Sequence, residues 1–535
     1  MGMFDIIIKN GQIIDGSGET AFYGDLAIKD GKIARIAPSI DEQALEVIDA
    51  SGLQVTPGLI DTHSHSDNSV YTGSNCYNYL EQGVTTQVAG QCGSSLAPFY
   101  DGLKNKHALT PEQYAVWSEK GKTPTAFMAA AEEAELGTNV AYFIGHSAIR
   151  GKVMNYSDQA PTPEQLETMK SYVKEAMEAG FLGMSTGLVY APSVYATTEE
   201  LIELAKVMEP YGGMYVSHIR GEGNNVLSAV QEAIRIGEEG GVPVFISHLK
   251  VMGKKNEGIS KLLLQEIDDA NDRGVPSYAD QYPFTAGAAP LSSQIPPKFL
   301  VGGFPALLER LKDPAIRQQI LYSIFNEPEE FESAILHSGF DGALIGGAHK
   351  TPWYVNKTIG QIAKEESKEP IDVLSDLLIA NDAVVSGIYF NQSVPDLFNI
   401  MAHPRVFCGA DNSDYCDERY DSEKVGGGHP RGYATMIRRL ELVRDYRMRS
   451  MEQSIRNVTR EPALALGLGN HGLLKEGWAA NITVMDYDRL HATADYTHPY
   501  RRNVGIHYVL VNGKVAVRNG ECLGVRNGKI LKRSR

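Results

Sequence analysis

Residues 53–67 read LQVTPGLIDTHSHSD, an apolar stretch that ends in two histidines and a carboxylate. Successive side chains of a β-strand alternate between its two faces, so His63 and His65 point the same way from the end of the strand that this stretch predicts. Two imidazoles on one face are typical of a metal site, although a single His-x-His pair is also common in ordinary polar loops. The rest of the chain decides between these two interpretations.

Strand-like stretches alternate with helical stretches through the middle of the chain. The stretch before His63 is followed by VTTQVAGQCG (84–93), NVAYFIGHS (139–147), GFLGMSTGLVY (180–190), GMYVSHIRGE (213–222), VPVFISHLK (242–250), VPSYADQYPF (275–284) and RVFCGADNSD (405–414). Helix signals lie between them, such as the capping Thr162 and the closing Gly180 of residues 162–180,. Eight β-α units predict an α/β fold, a (β/α)8 barrel of the TIM type. The alternative is an open doubly wound sheet, but no G-x-G-x-x-G turn follows the first strand.

Both ends of the chain carry short strands broken by pairs that favour hairpin turns: Asn10-Gly11, Asp30-Gly31, Asn512-Gly513 and Asn527-Gly528,. Neither end alone is long enough to bury a sheet face, so we expect residues 1–59 and 472–535 to build one small β-sandwich. The barrel then takes residues 60–471. Within it, residues 288–350 are too long for a plain loop, and we expect them to form a lid inserted over the barrel mouth.

Composition and charge limit the classes of partner. The formal net charge of −16 repels phosphate backbones and anionic lipid, so we expect neither nucleic acid nor a membrane as partner,. The N-terminus lacks the apolar region of a signal peptide, and no stretch reaches the roughly 18 apolar residues of a spanning helix. Five cysteines without a C-x-x-C pair fit a reducing compartment,. These features predict a cytoplasmic protein, and they leave its oligomeric state open.

Metal-capable side chains recur at the carboxyl ends of the predicted strands, where barrels place their chemistry. They are His63, His65, Cys92, His218, His248 and Asp411. Each alone has a common structural interpretation, as a buried histidine, a small apolar thiol or a turn carboxylate, but six at one rim favour a metal site. Thiolate with imidazole is a zinc combination, so we expect one tight catalytic Zn²⁺ on Cys92, His218 and His248. His63 and His65 are expected to hold a second, weaker metal.

The chain resembles the N-acyl-D-amino-acid deacylases (D-aminoacylases) of the amidohydrolase superfamily. The resemblance runs nearly from end to end and is carried by PGLIDTHSHSD, QGVTTQVAGQCGSSLAP, GHSAIR, GLVYAP, SHIRGEG, SHLK, YPFTAG, HPRVFCGAD, GGGHPRGY and EPALALGLGNHGLLKEGWAANITVMD. Relatives that open cyclic amides bridge their metals with a carboxylated lysine from the fourth strand. Here GFLGMSTGLVYAP contains no lysine, and Cys92 stands where the D-aminoacylases use their cysteine.

This resemblance implies zinc-dependent hydrolysis of N-acyl-D-amino acids to a carboxylate and a free D-amino acid. It implies the same division of ligands, with Asp411 as catalytic base and with Tyr190 and Lys250 near the substrate. Residues 280–297 contain no Arg or Lys, so we expect neutral amino-acid side chains to be preferred over acidic ones,. The alternatives are a cyclic-amide hydrolase or dipeptidase on the same fold and, more remotely, a metal-binding barrel without catalysis.

Overall fold

The computed structural model describes residues 3–103, 109–328, 331–414 and 427–534. Its strands are β1 (Phe4–Ile13), β2 (Phe22–Lys29), β3 (Lys32–Ala37), β4 (Ala44–Asp49), β5 (Gln54–Pro57), β6 (Leu59–Asp61), β7 (Val84–Ala89), β8 (Asn139–Tyr142), β9 (Ile144–Gly145), β10 (Gly183–Gly187), β11 (Met214–His218), β12 (Val244–Ile246), β13 (Ser277–Gln281), β14 (Ala286–Pro290), β15 (Ala343–Ala348), β16 (Val385–Phe390), β17 (Val406–Cys408), β18 (Ile482–Met485), β19 (Ile506–Val511), β20 (Lys514–Arg518) and β21 (Glu521–Cys522).

The helices, numbered in chain order, surround these strands. They are α1 (Ser69–Thr72), α2 (Tyr77–Leu80), α3 (Pro111–Lys120), α4 (Pro124–Glu133), α5 (His146–Met154), α6 (Pro163–Ala179), α7 (Thr198–Met208), α8 (Val226–Gly240), α9 (Ser260–Asp272), α10 (Gly303–Arg310), α11 (Pro314–Asn326), α12 (Ala334–Ser338), α13 (Ile359–Glu366), α14 (Pro370–Ala380), α15 (Val394–Ala402), α16 (Arg431–Asp445), α17 (Met451–Asn457) and α18 (Arg460–Ala465). Over the described residues, no helix is both long and apolar enough to cross a membrane.

Parallel strands in chain order form the barrel. Its eight positions among the described residues are β6, β7, β8 with β9, β10, β11, β12, β13 and β17. The ring closes where the Thr62 N–H donates to the Cys408 carbonyl at 3.1 Å. Strand β7 is buried along its whole length, as expected for a strand whose two faces are both covered,. The predicted (β/α)8 barrel is confirmed.

The strands at the two ends of the chain join in one β module. In the described part of the chain, β1–β5 and β18–β21 form a nine-stranded sheet, in which β5 pairs with β18 across the two ends. Apolar side chains from both ends share one core, with Ile8 and Leu26 from the first and Ile482 and Leu510 from the second. The predicted β module from both termini is therefore present. Its boundaries, residues 1–59 and 472–535, stay a prediction.

Two of the four predicted hairpin turns are correct. Asp30-Gly31 joins β2 to β3, and Asn512-Gly513 joins β19 to β20. The prediction is wrong at Asn10-Gly11, which lies inside β1 where the register with β2 shifts. A β-bulge and a hairpin turn can both use the left-handed conformation, here a φ of 60° at Asn10, so they share a sequence signal,. Asn527-Gly528 is not a hairpin either, because residues 523–529 around it lie in no strand. The Asn527 side-chain amide instead donates to the carbonyls of residues 511 and 512.

An insertion between β13 and β17 covers part of the barrel mouth. Its antiparallel sheet has the order β14-β16-β15, and its helices α10–α14 surround a separate apolar core that includes Ile320, Ile345 and Leu374. The Glu332 carboxylate binds it to the barrel by accepting hydrogen bonds from the backbone N–H groups of residues 223 and 224. Residues 288–350 lie within this insertion, apart from 329–330, which are not described. Their role as a lid stays a prediction.

Candidate metal centre

Three residues at the carboxyl ends of barrel strands have an unusual backbone conformation. Cys92, His248 and Asp411 have φ values of 52°, 36° and 49°, in the left-handed region that residues other than glycine rarely adopt,. Such a conformation costs roughly 1–3 kcal/mol at each residue and persists only where the surrounding structure holds it in place, as it often does at active sites. Here the left-handed conformation turns the backbone just after each strand, and the side chains of Cys92, His248 and Asp411 meet in one cluster.

A thiolate between two imidazoles forms the centre of this cluster. Cys92 Sγ lies 3.4 Å from His63 Nε2 and 3.4 Å from His248 Nε2. Burial disfavours the thiolate, but the imidazoles of His63 and His248 outweigh it and hold the pKa of Cys92 well below its ordinary value. Together with Asp411, these residues offer ligand atoms that all lie within 4.8 Å of one another. The site therefore presents an ionised sulfur and two nitrogens to one point.

A buried carboxylate orients the first of these histidines. Asp280 is fully buried at the end of β13, and its Oδ2 lies 3.2 Å from His63 Nδ1. An ionised carboxylate only accepts hydrogen bonds, so His63 Nδ1 donates to Asp280, and this leaves Nε2 as the nitrogen that would bind a metal ion,. The other oxygen of Asp280 accepts a hydrogen bond from the backbone N–H of His248. One side chain thus fixes two histidines of the cluster.

His218 lies beside this cluster, in a second group with Glu222 and His248. Burial lowers the pKa of His218, which favours the neutral imidazole that a metal requires,. Its Nδ1 is buried and has no hydrogen-bond partner among the described residues. Glu222 also accepts a hydrogen bond from Lys250, whose Nζ lies 2.8 Å from His248 Nδ1. Burial favours the neutral amine, but the Glu222 carboxylate outweighs it and raises the pKa of Lys250, which stays protonated.

Asp411 lies between the histidines and an arginine. Its Oδ1 is 3.0 Å from His65 Nε2, and its Oδ2 is 2.8 Å from Arg431 Nη1. Burial raises the pKa of this carboxyl, but Arg431, with the histidines His248 and His63, outweighs it and holds that pKa well below the ordinary value. Asp411 is therefore an ionised, hydrogen-bonded carboxylate at the edge of the donor group.

A cavity of about 460 Å³ opens over the cluster and is lined by His65, Cys92, Tyr190, Asp411 and Arg431, among others. The ring of Tyr190 packs 4.9 Å from the ring of His218, measured between centroids. Burial and the nearby Cys92 and Asp411 raise the pKa of Tyr190 well above its ordinary value, so the phenol keeps its proton. Its hydroxyl can donate a hydrogen bond to a bound molecule.

The donor set fits Zn²⁺. In a tetrahedral zinc site a sulfur and a nitrogen ligand lie about 3.5 Å apart, because Zn–S is about 2.3 Å and Zn–N about 2.0 Å. The two S–N separations of 3.4 Å agree with this value. The structure groups His63 with Cys92 and His248 and places His218 next to them, so the division into a tight and a weaker site stays a prediction.

The structure brings all the predicted site residues to this region and adds four that the sequence analysis missed. The missed residues are Asp61, Glu222, Asp280 and Arg431. Three of them stand in motifs already quoted: Asp61 in PGLIDTHSHSD, Glu222 in SHIRGEG and Arg431 in GGGHPRGY. Asp280 is the charged residue of the otherwise uncharged β13, a signal that could have identified it. Asp61 accepts hydrogen bonds from the backbone N–H groups of residues 63 and 410 and fixes the first strand end against the last.

Sequence comparison assigns the chain to a family. The profile of the amidohydrolase family matches residues 46–316 and 423–517, which is more than half of the chain. The chain belongs to the amidohydrolase family. Its buried metal-capable cluster at the carboxyl ends of the barrel strands is the candidate metal centre of this amidohydrolase.

Three relatives of this amidohydrolase match it over almost their whole length. The D-aminoacylase of Alcaligenes xylosoxydans xylosoxydans is 32% identical over 99% of this chain and 98% of its own. The N-acyl-D-aspartate deacylase of the same organism is 28% identical over 98% of this chain and 95% of its own. The crystal structure of N-acyl-D-glutamate deacylase from Bordetella bronchiseptica, complexed with zinc and a phosphonate inhibitor, superposes with a TM-score of 0.81 at 29% identity and covers 99% of this chain and 100% of that one.

Replacing Cys92 by alanine should remove most of the tightly bound zinc. The substitution deletes the sulfur that faces both imidazoles, and two neutral nitrogens bind zinc far more weakly than a thiolate with them. Metal analysis of the purified protein measures the zinc content per chain. Cys408→Ala is the matched control, because this thiol is buried in β17 outside the donor group and its loss should leave the zinc in place. Full zinc retention in Cys92→Ala would show that the cluster is not the zinc site.

Proposed function

We propose that this amidohydrolase hydrolyses the amide bond of N-acyl-D-amino acids to a carboxylate and a free D-amino acid, with Zn²⁺ as cofactor. The observation that carries the proposal is the buried group of Cys92, His63 and His248, which opens into a cavity that also holds Asp411 and Arg431. Full-length similarity to a D-aminoacylase supports the acyl-amino-acid class and the D configuration. A cytoplasmic location stays a prediction, supported by the free thiols of Cys76, Cys92 and Cys408,.

We propose that Cys92, His218 and His248 hold the tight zinc and that His63 and His65 hold a weaker metal. Bound zinc supplies Lewis acidity, which polarises an amide carbonyl and makes a water molecule more acidic. The protein contributes the orientation of the ligands. Asp280 and Glu222 fix the rings of His63 and His248, and such outer partners commonly change metal affinity or activity by about 10- to 100-fold,.

Asp411 is the proton carrier in this proposal. Amide hydrolysis needs a base that takes a proton from water and an acid that gives one to the nitrogen, because the amine does not leave as an anion. Asp411 is ionised and can accept the first proton, and once protonated it can pass that proton to the leaving nitrogen. The hydrogen bond from His65 and the ion pair with Arg431 hold its two oxygens in place. The phenol of Tyr190 is placed to donate to the carbonyl oxygen.

The carboxylate of the amino acid has a cationic partner in the cavity. Arg431 Nε is buried and has no hydrogen-bond partner among the described residues. An unsatisfied buried donor costs about 1–3 kcal/mol, which a bound carboxylate would relieve. The Arg431 guanidinium also lies 4.9 Å from the ring centroid of Tyr282, which fixes its plane. Lys250, protonated and 5.8 Å from the same centroid, adds positive charge on this side.

We expect neutral amino-acid side chains to be preferred over acidic ones. Apart from His65, which is a proposed metal ligand, Arg431 is the cation among the described residues that line the cavity, and Asp67, Asp382 and Asp411 are carboxylates. An acidic side chain would therefore lack a second cation to pair with and would face like charge. Residues 415–426, which include Arg419 and Lys424, lie outside the described residues.

A panel of substrates tests the proposed function. Purified protein with zinc should hydrolyse N-acetyl-D-leucine faster than N-acetyl-L-leucine and faster than N-acetyl-D-glutamate, as measured by release of free amine. A hydantoin and a dipeptide in the same panel test the two other hydrolase classes, and faster turnover of either would replace the proposal. Faster turnover of the D-glutamate derivative would contradict the preference for neutral side chains alone.

The variant Asp411→Asn should keep its zinc and lose most of its turnover. Asparagine keeps the shape of the side chain but cannot accept a proton, and general acid-base catalysis is commonly worth about 10² to 10⁴ in rate. We expect kcat for N-acetyl-D-leucine to fall at least that far while metal analysis finds the zinc content of the unmodified protein. Loss of zinc would make Asp411 a ligand, and near-normal turnover would exclude it as the proton carrier.

A further inference from the structure

The cavity over the metal centre has a charged side and an apolar side. Arg431 lines the charged side and follows the eighth position of the barrel. Lys250 and Tyr282 follow the sixth and seventh positions, and both Lys250 and Arg431 face the ring of Tyr282. Leu96, Tyr156 and residues 189–191 follow the second, third and fourth positions and line the same cavity. In a ring of eight strands the second to fourth positions lie opposite the sixth to eighth. The metal-capable cluster lies between these two sides.

We call the apolar side the acyl wall, defined by Leu96, Tyr156, Val189, Leu300 and Phe304. The first three residues come from barrel loops, and the last two come from the insertion. The rings of Tyr156 and Phe304 pack with their centroids 6.2 Å apart, which joins the two parts of the wall. Tyr156 also packs against Tyr100 at 6.4 Å, so the wall continues into the core of the barrel domain.

An N-acyl amino acid has a charged end and an apolar end, which match the charged and apolar sides of the cavity. Its carboxylate and its acyl chain lie on opposite sides of the amide bond that is cleaved. A carboxylate held at Arg431, with the amide at the Cys92 cluster, directs the acyl chain toward the second to fourth positions of the barrel. An acetyl group is too small to reach across a cavity of about 460 Å³, whose size is typical of sites that enclose a drug-sized ligand,.

We propose that the acyl wall binds the acyl chain and that the enzyme prefers N-acyl-D-amino acids with medium-length alkyl chains, such as hexanoyl and octanoyl, over N-acetyl ones. This inference rests on the proposed deacylase function and names its acyl group. Tyr156, Val189 and Phe304 of the wall are partly exposed, and a chain that covers them removes apolar surface from water on both partners,.

A chain-length series on the unmodified protein tests the proposal. The substrates are N-acetyl-, N-butanoyl-, N-hexanoyl- and N-octanoyl-D-leucine, and kcat/KM is measured for each with zinc present. Each methylene that becomes buried should raise kcat/KM by about fourfold. A flat or falling series, with N-acetyl-D-leucine still hydrolysed, would overturn the acyl-chain proposal alone. Absence of hydrolysis for every member would overturn the deacylase function and this inference with it.

A pair of matched variants tests the location of the acyl chain. Phe304→Ser places a hydroxyl in the acyl wall and should lower the ratio of kcat/KM for N-octanoyl- to N-acetyl-D-leucine by at least about tenfold, the effect of losing burial of two methylenes. Phe325→Ser is the control, since Phe325 lies on α11 of the same insertion, is 38% exposed and does not line the cavity. The control should keep the ratio of the unmodified protein. An unchanged ratio in Phe304→Ser would overturn the assignment of the wall.

Discussion

The site depends on one interaction, the approach of the Cys92 thiolate to the imidazoles of His63 and His248. A buried thiolate is costly unless positive charge or a cation lies beside it, and the structure builds this arrangement on strained backbone. Cys92, His248 and Asp411 all adopt left-handed conformations at the ends of their strands. The barrel offsets this local strain, because each of these turns follows a buried strand that is paired within the barrel and cannot relax separately.

The order of the barrel strands also separates the proposed binding sites for the carboxylate and for the acyl chain of the substrate. Side chains that follow neighbouring strands lie on one side of the barrel mouth, so Lys250 and Arg431, after the sixth and eighth positions, lie opposite the apolar residues after the second to fourth. The insertion completes the apolar side with Leu300 and Phe304. It also contacts the metal centre indirectly, because Glu332 accepts hydrogen bonds from the loop that carries Glu222.

The eight strands, the pooled terminal strands and the ring of metal-capable residues could be predicted from the sequence because each leaves a local pattern. Buried parallel strands appear as apolar runs, and the residues after them mark the rim. Contacts between distant parts of the chain leave no such pattern. Asp280 orients His63, which is 217 residues away in the sequence. Asn10-Gly11 has the sequence of a hairpin turn but lies at a β-bulge, because its neighbours pair with β2 on both sides. The grouping of His63 with Cys92 in space depends on side-chain geometry that spacing cannot give.

The central claim is that one cysteine and the surrounding histidines hold the zinc. X-ray absorption spectroscopy at the zinc edge of the purified protein tests it most directly, because sulfur and nitrogen ligands differ in distance and in scattering. We predict one sulfur ligand at about 2.3 Å with the remaining nitrogen and oxygen ligands near 2.0 Å. A zinc shell that contains only nitrogen and oxygen would contradict this account of the metal centre.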